Sequence, residues 1–560
     1  MIIGLLLIVL LIGGVGLIIA GARRAHDVPG SGVRRAFQYA VLYALFVTAA
    51  TGVESLLSMV FGARLPSHWQ DHSYALAQAL TNTFLALPLA AGLGWWTRRS
   101  HAREPREADS LLYAGYLGAT TLTGLALAAD RVHALVMALL IGEGIDPAAA
   151  AGILAWGGLW AGHWLIRFPS GGKTGYELLG AVIGLVLGAG GLFTLLAEAL
   201  ELLRGAPMLA GGPYELASAA GLLVAGGGAW LLYWPWRAAR LPRSAAWHTY
   251  VLLLGVAGGL VLTLAGAGAL VWRGLINLIG DPATVGVWTD WPAHFAAVVT
   301  GLTLWWYHRS FLAPGSTDDH VVRVVYTHVV AGIGLGAAAA GVGILVVAAL
   351  EAMTPALGTE GTTRNTLLAA LTLLLIGAPL WWVHWRRARQ TGKSARAPRR
   401  VYLIVVLGIC GVTALFALII AVSDLLNDAV GAGLNLGSVR AAKNPIGAFI
   451  AALAAAGIHA PALRSELRRA GDNPPARRRS ITLVGAEDAS LARQVRESTG
   501  ANVDLLATHT GPPWDRDAVL AAVAGEEDYV VVNDPGGLRT YAVQSAQPDP
   551  DSRDNPGPGQ

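Results

Sequence analysis

Hydrophobic residues in this chain form long runs separated by short polar stretches. Past residue 30 the runs recur in units of roughly 70 residues, a regularity typical of repeat architectures. Each unit has a long apolar segment, a short polar loop and a second apolar segment of about 20 residues, enough to cross a bilayer. The pattern therefore predicts a series of helical hairpins that cross a membrane.

Six hairpins are predicted between residues 30 and 465. Their long segments are 33–62, 110–142, 175–205, 247–280, 321–353 and 399–431. Their shorter segments are 75–96, 148–166, 214–234, 293–307, 365–385 and 444–463. An apolar run at residues 2–20, with Arg23 and Arg24 behind it, predicts an N-terminal anchor helix over residues 1–24.

The predicted fold is an all-α polytopic membrane bundle of about 13 transmembrane helices in repeated two-helix hairpins, joined to a small C-terminal α/β domain. Composition agrees, because 54% of the residues are hydrophobic and 14% are charged, against about 25% charged in soluble domains. The 70 glycines would let membrane helices approach closely. Cys410 is the one cysteine, which excludes an internal disulfide.

Basic residues concentrate at the junctions between hairpins. They are Arg34, Arg35, Arg98, Arg99, Arg103, Arg106, Arg237, Arg240, Arg243, Arg386, Arg387, Arg389, Lys393, Arg396, Arg399 and Arg400. The loops within hairpins hold few basic residues, among them Arg64, Arg364, Arg440 and Lys443. By the positive-inside rule this predicts a multi-pass membrane protein with its N-terminus outside and its C-terminus in the cytoplasm.

Clusters of tryptophan, histidine and arginine end the second helices of the hairpins, as in LWWVHWRRAR (380–389). Tryptophan favours the headgroup level and arginine favours anionic phosphates, so we interpret the clusters as an interfacial belt against anionic lipid. The belt comprises Trp96, His163, Trp164, Trp306, His308, Trp382, His384 and Trp385. Haem or metal ligation by facing histidines is the alternative for these positions, and no cofactor is predicted.

Charged residues also lie far along the long segments. Glu54, Asp130, Glu198, Arg273, Glu351 and Asp424 are predicted to reach the outer headgroup zone. A charge inside a membrane span can instead mark a transport path. The residues that would line such a path are Asp130, His133 and Asn82.

The residues after 463 change in composition. Residues 466–479 read as a basic linker, and residues 480–545 as a small cytoplasmic α/β domain with strands at 480–485, 503–508, 528–534 and 537–544. Residues 546–560 read as a disordered tail. This domain shows no glycine motif for nucleotides, because LVGAED has a single glycine after the first strand. We expect no nucleic-acid partner and a possible protein partner for this domain.

Several short motifs resemble a bacterial family of polytopic membrane proteins that carries only a domain-of-unknown-function label, number 5671. They are the helix openings RRVY and VRVVY and the helix end WVHWRR. The resemblance covers roughly residues 30–465, although the sixth hairpin ends in IHAPALRSELRR and lacks the tryptophans. The resemblance implies a location in a bacterial plasma membrane, and it implies no activity, substrate or catalytic residue.

Two functions from different classes follow from these patterns. The first is a non-enzymatic membrane scaffold or sensor with a cytoplasmic α/β tail. The alternative is a transporter or channel for a small solute or ion. A third option is an enzyme that acts on lipid headgroups through the interfacial histidines.

Overall fold

The computed structural model describes residues 31–62, 69–104, 110–167, 175–205, 212–241, 243–282, 290–312, 319–354, 360–390, 396–431, 433–472, 480–508, 511–525 and 527–543. The predicted anchor over residues 1–24 and the predicted tail over residues 546–560 lie outside these residues, as does part of the predicted basic linker.

Six pairs of long helices make up most of the described chain. The first helices of the pairs are α1 Ser31–Gly62, α3 Leu111–Leu140, α5 Gly175–Leu203, α7 Ala245–Ile279, α9 Asp319–Met353 and α11 Arg396–Gly431. The second helices are α2 Trp69–Arg103, α4 Pro147–Arg167, α6 Gly212–Tyr233, α8 Trp291–Arg309, α10 Glu360–Gln390 and α13 Lys443–Asp472. A short helix, α12 Leu436–Ala441, precedes α13. We number the pairs hairpins 1 to 6 in chain order.

Eleven helices of the described part are long and apolar enough to cross a membrane. The remaining helix of the six pairs, α8, has 19 residues and ends in Trp305, Trp306, Tyr307, His308 and Arg309, which lower its hydropathy. The structure thus has the predicted architecture of paired apolar helices. The predicted total of about 13 includes the anchor, which the described residues do not contain.

Glycine brings the two helices of each of the first five hairpins into backbone contact. A Cβ atom at Gly184 would overlap the backbone nitrogen of Trp230, and one at Gly124 would lie 2.9 Å from the backbone nitrogen of Trp160. The corresponding contacts of the other hairpins are Gly52 with Thr83, Gly259 with Trp305, and Gly334 with Trp381. Small residues permit such close packing where no hydrophobic driving force exists between helices.

Successive hairpins contact each other through one recurring pair of helices. The first helix of one hairpin packs against the second helix of the next, so that α1 contacts α4, α3 contacts α6, α5 contacts α8 and α7 contacts α10. Helix α9 contacts α13 in the same way, through Gly343 and Gly447. Five consecutive steps along the chain therefore have the same helix pairing.

A π-helical stretch, Tyr250–Ala257, interrupts α7 near its start. Its Gly255 faces His308, and a Cβ atom at Gly255 would overlap the imidazole ring. The wider π turn and the missing side chain together admit the histidine of α8 against the backbone of α7.

The C-terminal unit contains a four-stranded sheet in the order β2-β1-β3-β4. The strands are β1 Ser480–Gly485, β2 Asn502–Ala507, β3 Asp528–Asp534 and β4 Gly537–Val543. Strand β1 is parallel to β2 and β3, and β4 is antiparallel to β3. Helices α14 Ala489–Thr499 and α15 Arg516–Ala522 make the connections between the parallel strands. These elements lie where the sequence pattern predicts them.

Asp488 caps the N-terminus of α14. Its side chain accepts hydrogen bonds from the backbone N–H groups of Ser490 and Leu491. The Ser490 hydroxyl, the Leu491 N–H and the Arg516 guanidinium lower the pKa of Asp488 to about 2. The carboxylate therefore stays charged at neutral pH, and its contribution to stability is lost only when the pH falls through this low value.

We expect Gly184→Ala to destabilise hairpin 3, because the added methyl group overlaps the backbone of Trp230. Overpacking of this kind costs about 1–3 kcal/mol. The measurement is the melting temperature of the full chain in mild detergent. Gly228→Ala, in the same hairpin, is the matched control because a Cβ atom there meets nothing within 4 Å. Equal melting temperatures for both variants would contradict the close contact of the two helices.

Candidate functional site: the histidine layer

Histidines near the ends of the second helices are held in one orientation by their own helix. The Nδ1 atom of His163 lies 3.0 Å from the Leu159 carbonyl oxygen, and that of His308 lies 2.9 Å from the Leu304 oxygen. His384 and His459 make the same bond to Leu380 and Ala455, each at 2.9 Å. A carbonyl oxygen only accepts, so Nδ1 carries the hydrogen, and Nε2 of the neutral ring is an acceptor.

Tyrosines near the starts of the first helices supply donors for these acceptors. The Tyr116 hydroxyl lies 2.9 Å from Nε2 of His163 in hairpin 2. Tyr39 and His101 make the equivalent pair in hairpin 1 at 3.1 Å. In hairpin 6, Tyr402 lies 3.4 Å from His459. We call the level that contains Tyr39, His101, Tyr116, His163, Tyr250, His308, Tyr402 and His459 the histidine layer.

Hairpins 3 and 4 fill the same level with an aromatic cluster. The indole N–H of Trp160 donates to the Tyr233 hydroxyl at 2.8 Å, and that of Trp230 donates to the Tyr250 hydroxyl at 2.9 Å. The His308 ring lies 5.7 Å from the Tyr250 ring, centroid to centroid, and is fully buried. Within the described part of the chain its Nε2 has no hydrogen-bond partner. The cluster joins three successive hairpins at one level.

The predicted interfacial belt falls into two sets in the structure. Trp96, Trp306 and Trp382 face outward, with 44%, 74% and 51% of their surface exposed. His163, His308 and Trp385 are buried, and Trp164 and His384 are partly buried. Residues two positions apart lie on nearly opposite faces of a helix, which separates Trp306 from His308. The histidines thus contact protein, whereas three of the tryptophans face the surroundings.

A buried ion pair in the histidine layer was not predicted from the sequence. Glu177 begins α5, and its carboxylate accepts hydrogen bonds from Nε of Arg237 at 3.0 Å and from Nη2 at 2.5 Å. Arg237 also lies over the Trp164 ring, 5.6 Å from its centroid. The signal in the sequence is a single acidic residue in the otherwise apolar opening GYELLG.

Charged residues at the opposite ends of the helices join neighbouring hairpins. Glu54 of α1 lies 2.7 Å from Arg131 of α3 and accepts the indole N–H of Trp156 at 2.8 Å. Glu351 of α9 lies 2.5 Å from Lys443 of α13. Within hairpin 4, Arg273 lies 2.7 Å from Asp290. These six charged residues form what we call the carboxylate layer.

The three residues of the predicted transport path have separate surroundings. Asp130 lies 3.7 Å from Arg131, and His133 lies 3.1 Å from the Ser218 hydroxyl of hairpin 3. Asn82 belongs to α2, where its backbone packs against Gly52. Asp130 and His133 lie on α3, whereas Asn82 lies on α2 and contacts α1. The transport path stays a prediction.

The described residues contain no group of three histidine, cysteine, aspartate or glutamate side chains close enough to hold a metal ion. His163 and His384 belong to hairpins 2 and 5 and each bonds within its own helix. Two cavities lie between helices, one of about 530 Å³ among α9, α11 and α13 and one of about 370 Å³ among α1, α2 and α4. His163 lines the smaller cavity.

Residues 35–161 and 324–458 match the family model described as Domain of unknown function (DUF5671). The first match covers most of hairpins 1 and 2, and the second covers most of hairpins 5 and 6. The resemblance seen in the sequence motifs is confirmed over these residues, and the model match does not extend to hairpins 3 and 4. No curated protein and no solved structure matches the chain.

We expect Lys443→Met to destabilise the protein, because it leaves the Glu351 carboxylate buried without its partner. Breaking a buried pair costs about 3–5 kcal/mol. The double variant Lys443→Met with Glu351→Gln removes both charges and should recover much of the loss. Melting temperatures of the wild type, the single variants and the double variant give the coupling energy. Additive effects of the two changes would show that the pair contributes nothing.

Proposed function

We propose that the chain is a multi-pass plasma-membrane protein that acts as a non-enzymatic scaffold or sensor and holds its α/β domain at the cytoplasmic face. The observation that carries this proposal is the pairing of polar side chains inside the helical region. Tyrosine, histidine, glutamate and arginine side chains bond to one another between helices, as Tyr116 does with His163 and Glu351 with Lys443. Such contacts hold the helices in one arrangement, which suits a scaffold.

Arginines at the histidine layer support an orientation with this layer toward the cytoplasm. Arg99 lies over the Trp95 ring at 5.3 Å, Arg309 over Trp305 at 5.0 Å, and Arg386 over Trp382 at 5.7 Å, each measured to the ring centroid. A cation held against an indole suits the headgroup region of an anionic leaflet. Anionic membrane lipids are therefore the proposed partners of this layer.

Two findings support the hypothesis that the chain is an array of six related hairpins. One is the recurring pairing of each first helix with the second helix of the next hairpin. The other is the presence of two matches to one family model in one chain. In such an array every hairpin buries its faces against its neighbours, which suits a scaffold of fixed length.

The C-terminal sheet supports a role in binding a protein partner. Strand β4 lies at the edge of the sheet, and its Tyr541 is 52% exposed. Val543 on the same strand is also exposed. An open strand edge with exposed apolar side chains can pair with an extended segment of another protein.

Transport of a small solute or ion is the alternative function. The contacts that favour it are those of Glu54, Asp130, Arg131 and His133, four titratable residues where α1, α3 and α6 meet. Solute or ion flux in proteoliposomes that contain the purified chain, compared with Asp130→Asn, tests this alternative. Flux that depends on Asp130 would displace the scaffold proposal.

The proposed orientation predicts which loops react from outside the cell. In a Cys410→Ala background, Glu143→Cys lies in the exposed loop of hairpin 2 and Lys393→Cys in the junction after hairpin 5. We expect a membrane-impermeant thiol reagent to label the first variant in intact cells and the second only after permeabilisation. The reverse pattern, or equal labelling of both, would refute the orientation.

The proposed partner predicts a position-specific cross-link. A photoreactive phenylalanine analogue in place of Tyr541 should yield a discrete adduct in cells, because this side chain is exposed on the edge strand. The same analogue in place of Arg493, on the exposed face of α14, is the matched control. Identical adducts at both positions, or none at Tyr541, would count against a partner at this edge.

A further inference from the structure

The cavity among α1, α2 and α4 is a narrow apolar trough that ends at a cation. Arg98 and His163 line it at the histidine layer. The rest of its lining is apolar side chains and glycine, from Phe46 and Val53 on α1 to Leu154 and Ile166 on α4. The volume is about 370 Å³.

Two glycines of α4 make the trough. Gly158 and Gly162 both line it, and a Cβ atom at either position would meet nothing within 4 Å. They differ in this from Gly124 and Gly184, which contact the backbone of a neighbouring helix. The missing side chains of Gly158 and Gly162 thus leave open space rather than close packing.

Arg98 supplies a charge without a counter-ion. No carboxylate pairs with it in the part of the chain that the structure describes. The neighbouring Arg99 is instead placed over the Trp95 ring and does not line the cavity. A cation at the mouth of an apolar trough is complementary to a molecule with an anionic head and a hydrocarbon chain.

The length of the trough fits one leaflet. Leu154 and Ile166 are three turns apart on α4, which corresponds to about 18 Å of helix. Half of a hydrocarbon core is about 15 Å thick. A single acyl chain that starts at the level of Arg98 would run along this length.

We infer that this cavity binds one acyl chain of an anionic phospholipid whose phosphate contacts Arg98. The inference rests on the proposed membrane insertion, with the histidine layer in the anionic leaflet, and it adds a defined lipid site to it. The larger cavity among α9, α11 and α13 has no charged residue in its lining, so its structure does not select a headgroup.

The test is native mass spectrometry of the full chain in mild detergent with added phosphatidylglycerol or phosphatidylcholine of identical acyl chains. The wild type should bind one phosphatidylglycerol more tightly than phosphatidylcholine. Arg98→Gln should weaken phosphatidylglycerol binding about fivefold. Arg103→Gln, at an exposed position of the same helix outside the cavity lining, is the matched control and should leave the affinity of this site unchanged.

The second arm fills the trough. Gly158→Leu places a side chain in the cavity and should abolish binding of both lipids at this site, whereas Gly157→Leu, which does not line the cavity, should leave it intact. Gly162→Val is the second filling variant if Gly158→Leu melts at a lower temperature than the wild type. Full lipid stoichiometry in a folded filling variant would overturn the proposal.

A third arm separates a lipid from free phosphate. Inorganic phosphate at millimolar concentration should not displace the bound lipid, and displacement by phosphate would overturn the acyl-chain site. Equal effects of Arg98→Gln and Arg103→Gln would also overturn it. The labelling of Glu143→Cys and Lys393→Cys tests the membrane orientation independently of the lipid site. Failure of the lipid site is therefore distinguishable from failure of the proposed function.

Discussion

Backbone contact between the paired helices sets the positions of most other groups in the helical region. Glycines on both helices permit it. Several glycines of the first helices lie against the residues that begin the Trp-x-x-His or Trp-x-x-Tyr ends of the second helices, such as Trp160 and Trp230. In hairpin 2 the side chain one turn later, His163, meets Tyr116 of the first helix. The contact between Gly124 and Trp160 thus lies one turn of α4 before the pairing of His163 with Tyr116.

The bond between each imidazole Nδ1 and its own helix has an electrostatic consequence. It fixes the ring as an acceptor toward the neighbouring helix, so a tyrosine hydroxyl satisfies it without any net charge. At the other ends of the helices the structure has ion pairs instead, as with Glu54 and Arg131. The two layers thus join helices by different chemistry. Tyrosine–histidine bonds and one ion pair, Glu177 with Arg237, lie at one level, and ion pairs lie at the other.

Periodicity and composition predicted the paired helices and the strands of the C-terminal unit, because those features are local in sequence. The contacts of the histidine layer are not local. His163 and Tyr116 are 47 residues apart, and no pattern in one sequence identifies them as partners. The tryptophan clusters were predicted as one belt because sequence position gives depth along a helix but not the face toward a neighbour. Glu177 was overlooked because one acidic residue at a helix start is also typical of simple dipole stabilisation.

The π-helical stretch of α7 coincides with an extra residue. In hairpins 2, 3 and 5 the glycine that contacts the second helix follows its tyrosine by eight positions, as Gly124 follows Tyr116, whereas Gly259 follows Tyr250 by nine. A π turn absorbs one additional residue within a helix. The extra residue is thereby confined to the stretch between Tyr250 and Gly259. Both residues keep the same orientation toward the neighbouring helix as in the other hairpins. The helix therefore accommodates one more residue while the side chains on either side of the π-helical stretch stay on the same helix face.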